Sequence, residues 1–193
     1  NKYFNSKSFL NINIIGISGK TKSKKRNFNI QNYKWYNNAL EMASNEDCDV
    51  IVELIGHEKG LSYDLIKSAL ENKKHVVTGN KALIANNGKK LFELADKNSL
   101  ALSFEAAVAG GIPIIKTIKN DIPLNKINKL SGILNGTTNY ILTKMEEDNM
   151  SFDEVLQIAK DKGFTSDAES KLDIDGYDAA HKLTILSTLC FGS

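Results

Sequence analysis

Four short stretches of this sequence carry side chains at spacings that chemistry can use. In Asp173-Ile174-Asp175-Gly176-Tyr177-Asp178-Ala179-Ala180-His181-Lys182, three carboxylates precede a Lys. On a helix Asp178 and Lys182 stand at i and i+4, on one face. Such a pair is either a surface ion pair worth about 0.3–0.5 kcal/mol or a Lys held for proton transfer, with a carboxylate to orient it or bind substrate. Thr78-Gly79-Asn80-Lys81 follows an apolar run. It either brings a Lys to a cofactor or a reacting carbonyl, or merely opens a surface helix. Phe104-Glu105-Ala106-Ala107-Val108-Ala109-Gly110-Gly111-Ile112-Pro113 sets one carboxylate beside small residues whose carbonyls are open. That suits a hard cation with oxygen ligands, or a tight turn whose glycines serve packing. Ser131-Gly132-Ile133-Leu134-Asn135-Gly136-Thr137-Thr138-Asn139-Tyr140 offers free N–H groups and hydroxyls to an anionic or amino-acid ligand, or is a plain helix cap. His57, His75 and His181 show no metal-ligand spacing and read as structural or surface residues.

Strands and helices must hold these stretches in place. Residues 10–18 form a β-branched run that reads as a strand, and residues 20–31 are polar and irregular. Residues 38–44 suit a short helix. Residues 49–54 are an apolar run with one Glu, as in a strand buried on both faces. Residues 58–72 have helical period, 75–78 are the next strand, 89–98 are helical and 100–104 are a strand again. This order predicts parallel βαβ units and a doubly wound α/β sheet, whose ligands sit outside the carboxyl ends of the strands. After residue 110 the pattern changes. Residues 112–118 look helical, 126–133 alternate as an antiparallel strand should, and 135–147, 151–162 and 175–190 read as helices. Ser151 and Glu154 have capping-box spacing, and Gly163 suits a helix end. The boundary falls near residues 105–110.

Composition narrows the partners. The chain has 193 residues and a net charge of +2, and Arg26 is the only Arg among 25 basic residues. A nucleic-acid reader leans on Arg, so no nucleic acid is expected. Cys48 and Cys190 lie far apart without CxxC spacing, which fits reduced thiols and a cytoplasmic location. No apolar run is long enough to span a membrane. The chain begins at Asn1, and it reads as a piece of a longer protein.

Taken together, the stretches DVIVELIG, HVVTGNKALIA, FEAAVAGGIPII, GILNGTTNYIL and LDIDGYDAAHKLTIL resemble homoserine dehydrogenase over roughly three-quarters of the chain. The resemblance implies a partial Rossmann-like NAD(P)-binding domain at residues 1–106 and an α+β substrate and dimerisation domain at residues 107–193. It implies the NAD(P)-dependent, reversible reduction of L-aspartate 4-semialdehyde to L-homoserine, on the way to threonine and methionine. Lys182 then matches the acid/base lysine and Lys81 the lysine between nicotinamide and substrate. Asp178 and Asp173 match substrate-side carboxylates that hold the ammonium group. Ile55, Gly56 and Thr78 match cofactor contacts, and Glu105 with the backbone of Val108, Gly110 and Ile112 matches a monovalent cation (Na⁺) site. Burial and the charge of Lys81 are expected to bring Lys182 into the range of a useful base. A homodimer is expected of the full-length protein.

The departures are specific. The family opens with a strand and a G-x-G-x-x-G turn that this sequence does not contain. On that count the isolated chain is expected to be inactive. The alternative reading is a non-catalytic piece that binds a small amino acid or assembles with a partner. Where the family has a substrate-binding Glu, this chain has Ser166-Asp167-Ala168-Glu169, and Ser166, Asp167 and Glu169 all remain candidates. The strand ending at Ser18 lacks an acidic residue for a ribose hydroxyl and is followed by Lys20, Lys22, Lys24 and Arg26, which leans toward NADP over NAD.

Overall fold

The computed structural model describes residues 12–192. It contains short parallel strands flanked by helices, the expected α/β class. Strand β1 (Gly16–Ser18) pairs in parallel with β2 (Lys34–Tyr36), and helix α1 (Leu40–Ala43) follows. Strands β3 (Val50–Glu53), β4 (His75–Thr78) and β5 (Leu102–Ser103) form a second sheet in that order, β4 and β5 being parallel. Helix α2 (Leu61–Glu71) links β3 to β4, and α3 (Lys81–Lys97) links β4 to β5.

The chain divides into two compact units. The first comprises the described residues up to Val77 together with Lys89–Ser103. Its core holds Ile51 of β3, Val76 of β4 and the apolar side of α2, Leu65, Ile66, Ala69 and Leu70, all buried. Each large side chain buried in this way contributes roughly 1.5–3 kcal/mol. Helix α1 and strand β3 both pack on α2. The strands are not buried on both faces as the apolar run at residues 49–54 suggests. Ile51 and Glu53 point inward, but Val50 and Val52 are 45% and 58% exposed, and Val77 on β4 is 41% exposed. Alternate side chains leave a sheet on opposite faces, and among the described residues only one face carries helices closely enough to bury them.

The second unit comprises Thr78–Gly88 and the residues after Ser103. Helix α4 (Ile114–Lys116) continues into a π-helical turn (Thr117–Asp121). Helices α5 (Gly136–Asp148) and α6 (Phe152–Asp161) pack as a pair around Ile141, Val155 and Ala159. Ser151 and Glu154 form the expected capping box at the start of α6. Gly163 ends α6 at φ 74°, with its N–H on the Lys160 carbonyl and that of Phe164 on Ala159, which is the glycine-dependent helix stop. Helices α7 (Asp167–Ile174) and α8 (Tyr177–Phe191) follow, separated by Gly176 at φ 79°. Residues 126–133 are not a strand. Their alternation fits one, but a strand needs a ladder partner, and none is formed among the described residues of this unit.

Candidate active site

Within the second unit, the site is assembled by the N-terminal ends of three helices. Thr78, at the end of β4, accepts the Asn80 N–H on its hydroxyl at 3.0 Å, and the Asn80 side chain accepts the Leu83 N–H at 3.1 Å. These bonds cap α3 and set Lys81 as its first residue. Asn135 caps α5 in the same way, its Oδ1 accepting the Thr138 N–H at 2.8 Å and the Thr138 hydroxyl at 2.9 Å. Gly176 turns the chain so that Asp178 falls in the first turn of α8, where a negative charge is favoured.

The three elements converge on Asp178. Its Oδ1 lies 2.6 Å from Lys81 Nζ, and its Oδ2 lies 2.7 Å from Lys182 Nζ. Asn135 Nδ2 donates to the same Oδ2 at 2.9 Å. Lys182 also donates to the Leu134 carbonyl at 2.8 Å. Asp178 is only 6% exposed. Burial alone raises its pKa, but the hydrogen bonds from Lys182, Lys81 and Asn135 outweigh it and hold the carboxyl at about 2. The surface-ion-pair reading of Asp178 and Lys182 does not describe this arrangement: the carboxylate is buried and bridges two lysines. Asp173 is half-buried and accepts from Asn135 at 2.8 Å and from the Thr165 hydroxyl at 2.9 Å.

The structure thus brings Lys182, Lys81, Asp178 and Asp173 into one cluster. It does not place Asp167 there. That carboxylate pairs with Lys160 at 2.7 Å, and its side chain is 90% exposed. The Glu169 side chain lies outside the described residues, and Ser166 is exposed. Sequence reasoning missed the direct link from Lys81 to Asp178, the donation by Asn135 to both carboxylates, and the anchoring of Lys182 on Leu134. The Asn135 cap was legible. Its bonds to Asp173 and Asp178 span 38 and 43 residues and have no local signature.

The other candidates lie elsewhere. Glu53, buried at the end of β3, accepts the N–H groups of Ile55 and Gly56 on one oxygen at 2.7 and 3.2 Å. The Glu53 side chain therefore occupies these two amides, and they are not open donors for a phosphate. Gly56 has φ 91°, and a Cβ there would meet nothing within 4 Å, so backbone conformation rather than space calls for glycine. Glu105 accepts the N–H groups of Ile115 and Lys116 at 3.0 and 2.9 Å, which caps α4. Each of its oxygens keeps a lone pair, and the carbonyls of Val108, Gly110 and Ile112 are the remaining oxygens of the suggested cation set. His75 is structural: its Nδ1 accepts the Ala101 N–H at 2.9 Å.

Two family models match this chain. One, described as homoserine dehydrogenase, NAD binding domain, covers residues 4–105, and the other, homoserine dehydrogenase, covers residues 113–193. The homoserine dehydrogenase of Pseudomonas aeruginosa is 49% identical over 79% of this chain and 35% of its own length. The crystal structure of a homoserine dehydrogenase from Thiobacillus denitrificans matches with a TM-score of 0.79 and 42% identity, covering 84% of this chain and 37% of that one. A hyperthermophilic archaeal homoserine dehydrogenase in complex with NADPH matches with a TM-score of 0.74 and 30% identity, over 83% and 49% of the two chains. The chain spans 34–41% of the curated relatives it matches.

Proposed function

This chain belongs to the homoserine dehydrogenase family, and on that premise we propose that the protein carrying it interconverts L-aspartate 4-semialdehyde and L-homoserine with a nicotinamide cofactor. The observation that carries the reading is the pair of ammonium groups, Lys81 and Lys182, held on the two oxygens of one buried carboxylate. When bound, the nicotinamide supplies and accepts the hydride. The chain's own residues manage charge and protons. Reduction of the aldehyde leaves an alkoxide that needs a proton, and oxidation needs the hydroxyl proton removed. A lysine ammonium has three N–H donors. Two of those on Lys182 are engaged by Asp178 and Leu134, which leaves one to serve the substrate oxygen. Lys81 adds a second positive charge where the alkoxide develops.

The two carboxylates take different parts. Asp178 already accepts three hydrogen bonds and fixes the lysines. Asp173 accepts two and has room for the substrate ammonium group. Asp167, paired with Lys160, is not among these groups, and Glu169 is kept as the substrate-binding candidate of that segment. Ile55, Gly56 and Thr78 contact the cofactor, Ile55 through its carbonyl or side chain and Gly56 through its carbonyl or Cα, since Glu53 fills their amides. NADPH is favoured over NADH by Lys20, Lys22 and Lys24, all exposed. Arg26 serves their loop, donating to the carbonyls of Thr21, Lys22 and Lys24 at 2.8–3.1 Å and stacking over Trp35. Glu105 and the carbonyls of Val108, Gly110 and Ile112 would hold a monovalent cation, which would brace the turn before α4. The domain division at residues 106–107, the homodimer and the cytoplasmic location are part of the same reading. The direct test is NADPH oxidation dependent on L-aspartate 4-semialdehyde by the full-length protein. Turnover is expected, and its absence in a folded sample would favour the non-catalytic alternative.

A further inference from the structure

We propose that Asn135 is a positioning residue of this site, whose side-chain amide locks Asp173 and Asp178 in the orientation on which Lys81 and Lys182 depend. The side chain is 7% exposed, and every polar atom in it is used. Nδ2 donates to Asp173 Oδ1 at 2.8 Å and Asp178 Oδ2 at 2.9 Å, while Oδ1 accepts from the Thr138 N–H and hydroxyl. The amide has one workable orientation. Flipped, it would set an oxygen against two carboxylates and an NH₂ group against a backbone N–H.

The need for such a group follows from the chain path. Asp173 ends α7 and Asp178 begins α8, on either side of the left-handed Gly176. A carboxylate in the last turn of a helix is at the unfavourable end of its dipole, so Asp173 needs donors from outside α7, and it has Asn135 and Thr165. Asp178 is faced by Lys81 from α3, Lys182 from its own helix and Asn135 from the α5 cap. Asn135 is therefore the neutral group common to both carboxylates, and it ties the start of α5 to the break between α7 and α8. Capping a helix needs only an acceptor. Donating to two carboxylates needs an amide.

That difference gives the test. Asn135→Ser keeps an N-cap acceptor but lacks the two N–H groups, Asn135→Asp keeps the acceptor and adds a charge, and Asn135→Ala loses both functions. This inference rests on the dehydrogenase reading, so two readouts are taken on the full-length protein. In turnover, Asn135→Ser is expected to fold and to melt above Asn135→Ala but below the wild type, since the two bonds to carboxylates are lost, while kcat falls about 10²-fold, the cost of misplacing reacting groups by about an ångström. In carboxyl-carbon NMR, Asp178 should titrate at higher pH in Asn135→Ser and Asn135→Asp than in the wild type, where it titrates near 2. If Asn135→Ser restores turnover along with stability and leaves the titration unchanged, Asn135 is only a cap and the proposal is overturned. If the wild type shows no aldehyde-dependent turnover, the dehydrogenase reading fails separately, and the titration still decides the clamp. Should the serine variant not fold, Asn135→Thr, which also keeps an N-cap acceptor without the NH₂ group, decides by the same two measurements.

Discussion

Asp178 is the side chain on which two lysines converge, and its ionisation links the site to the stability of the fold. Its carboxyl sits at about 2, below its ordinary 3.8. A depressed carboxyl stabilises the folded state above its unfolded pKa and loses that contribution as pH falls through the folded one. The stabilisation is about 2 kcal/mol, fully present above about pH 4 and lost between roughly 4 and 2. Asp178→Asn removes this titration and leaves Lys81 and Lys182 facing each other. Its denaturation free energy should therefore lie below that of the wild type at neutral pH, and the gap should narrow by about 2 kcal/mol by pH 2. Urea titrations from pH 2 to 7 measure this, and a gap that is flat with pH would show that the lysines do not hold the carboxylate. For Lys182→Ala in the full-length protein, kcat should fall by about 10²–10⁴, the range for a lost acid/base group, with KM for the cofactor little changed. Steady-state rates at saturating cofactor decide it, and near-normal turnover would remove Lys182 from the mechanism.

Among the elements, those with local signals were legible in the sequence. The capping box of Ser151 and Glu154 marks the start of α6, and the structure shows both of its arms. Ser151→Ala should cost about 1 kcal/mol, read as a lower melting temperature. No change would mean that the α5–α6 pair is held by packing alone. Helices α2, α5 and α8 followed from apolar period, within a few residues at each end. What failed lacked local marks. Strand β2 is three residues flanked by Asn and Tyr and gives no period. Helix α7 carries few apolar residues, so its sequence reads as a loop. Residues 126–133 show the opposite failure: a strand pattern without a partner strand. In the site, the Asp178–Lys182 spacing was visible because it lies within one helix turn. The bonds from Lys81 and Asn135 were not, because tertiary packing brings them in from other helices.

At the scale of the molecule, the three-stranded sheet leaves one apolar face open. Val50, Val52 and Val77 lie on it, and Leu54, just past β3, is 76% exposed. Exposed strand edges and apolar patches favour association, and a net charge of +2 offers little repulsion against it. The chain expressed alone should therefore associate as its concentration rises, and Val52→Thr, which keeps a β-branched residue on the strand, should lessen this. Sedimentation velocity over a range of concentrations measures both, and a monomer at all concentrations would exclude the sheet face as the cause.

The two lysines and two aspartates of the cluster cancel in formal charge. A cluster with no net charge exerts little long-range pull on a zwitterion, so capture depends on fit after encounter rather than on long-range attraction. The association rate of a small amino-acid substrate should then change little as salt is raised from about 0.01 to 0.15 M, across which the Debye length falls from roughly 30 to 8 Å. In stopped-flow, the full-length protein should take up its substrate at nearly one rate over that range, and the salt sensitivity should fall instead on the phosphate-bearing cofactor that the exposed lysines after β1 would meet.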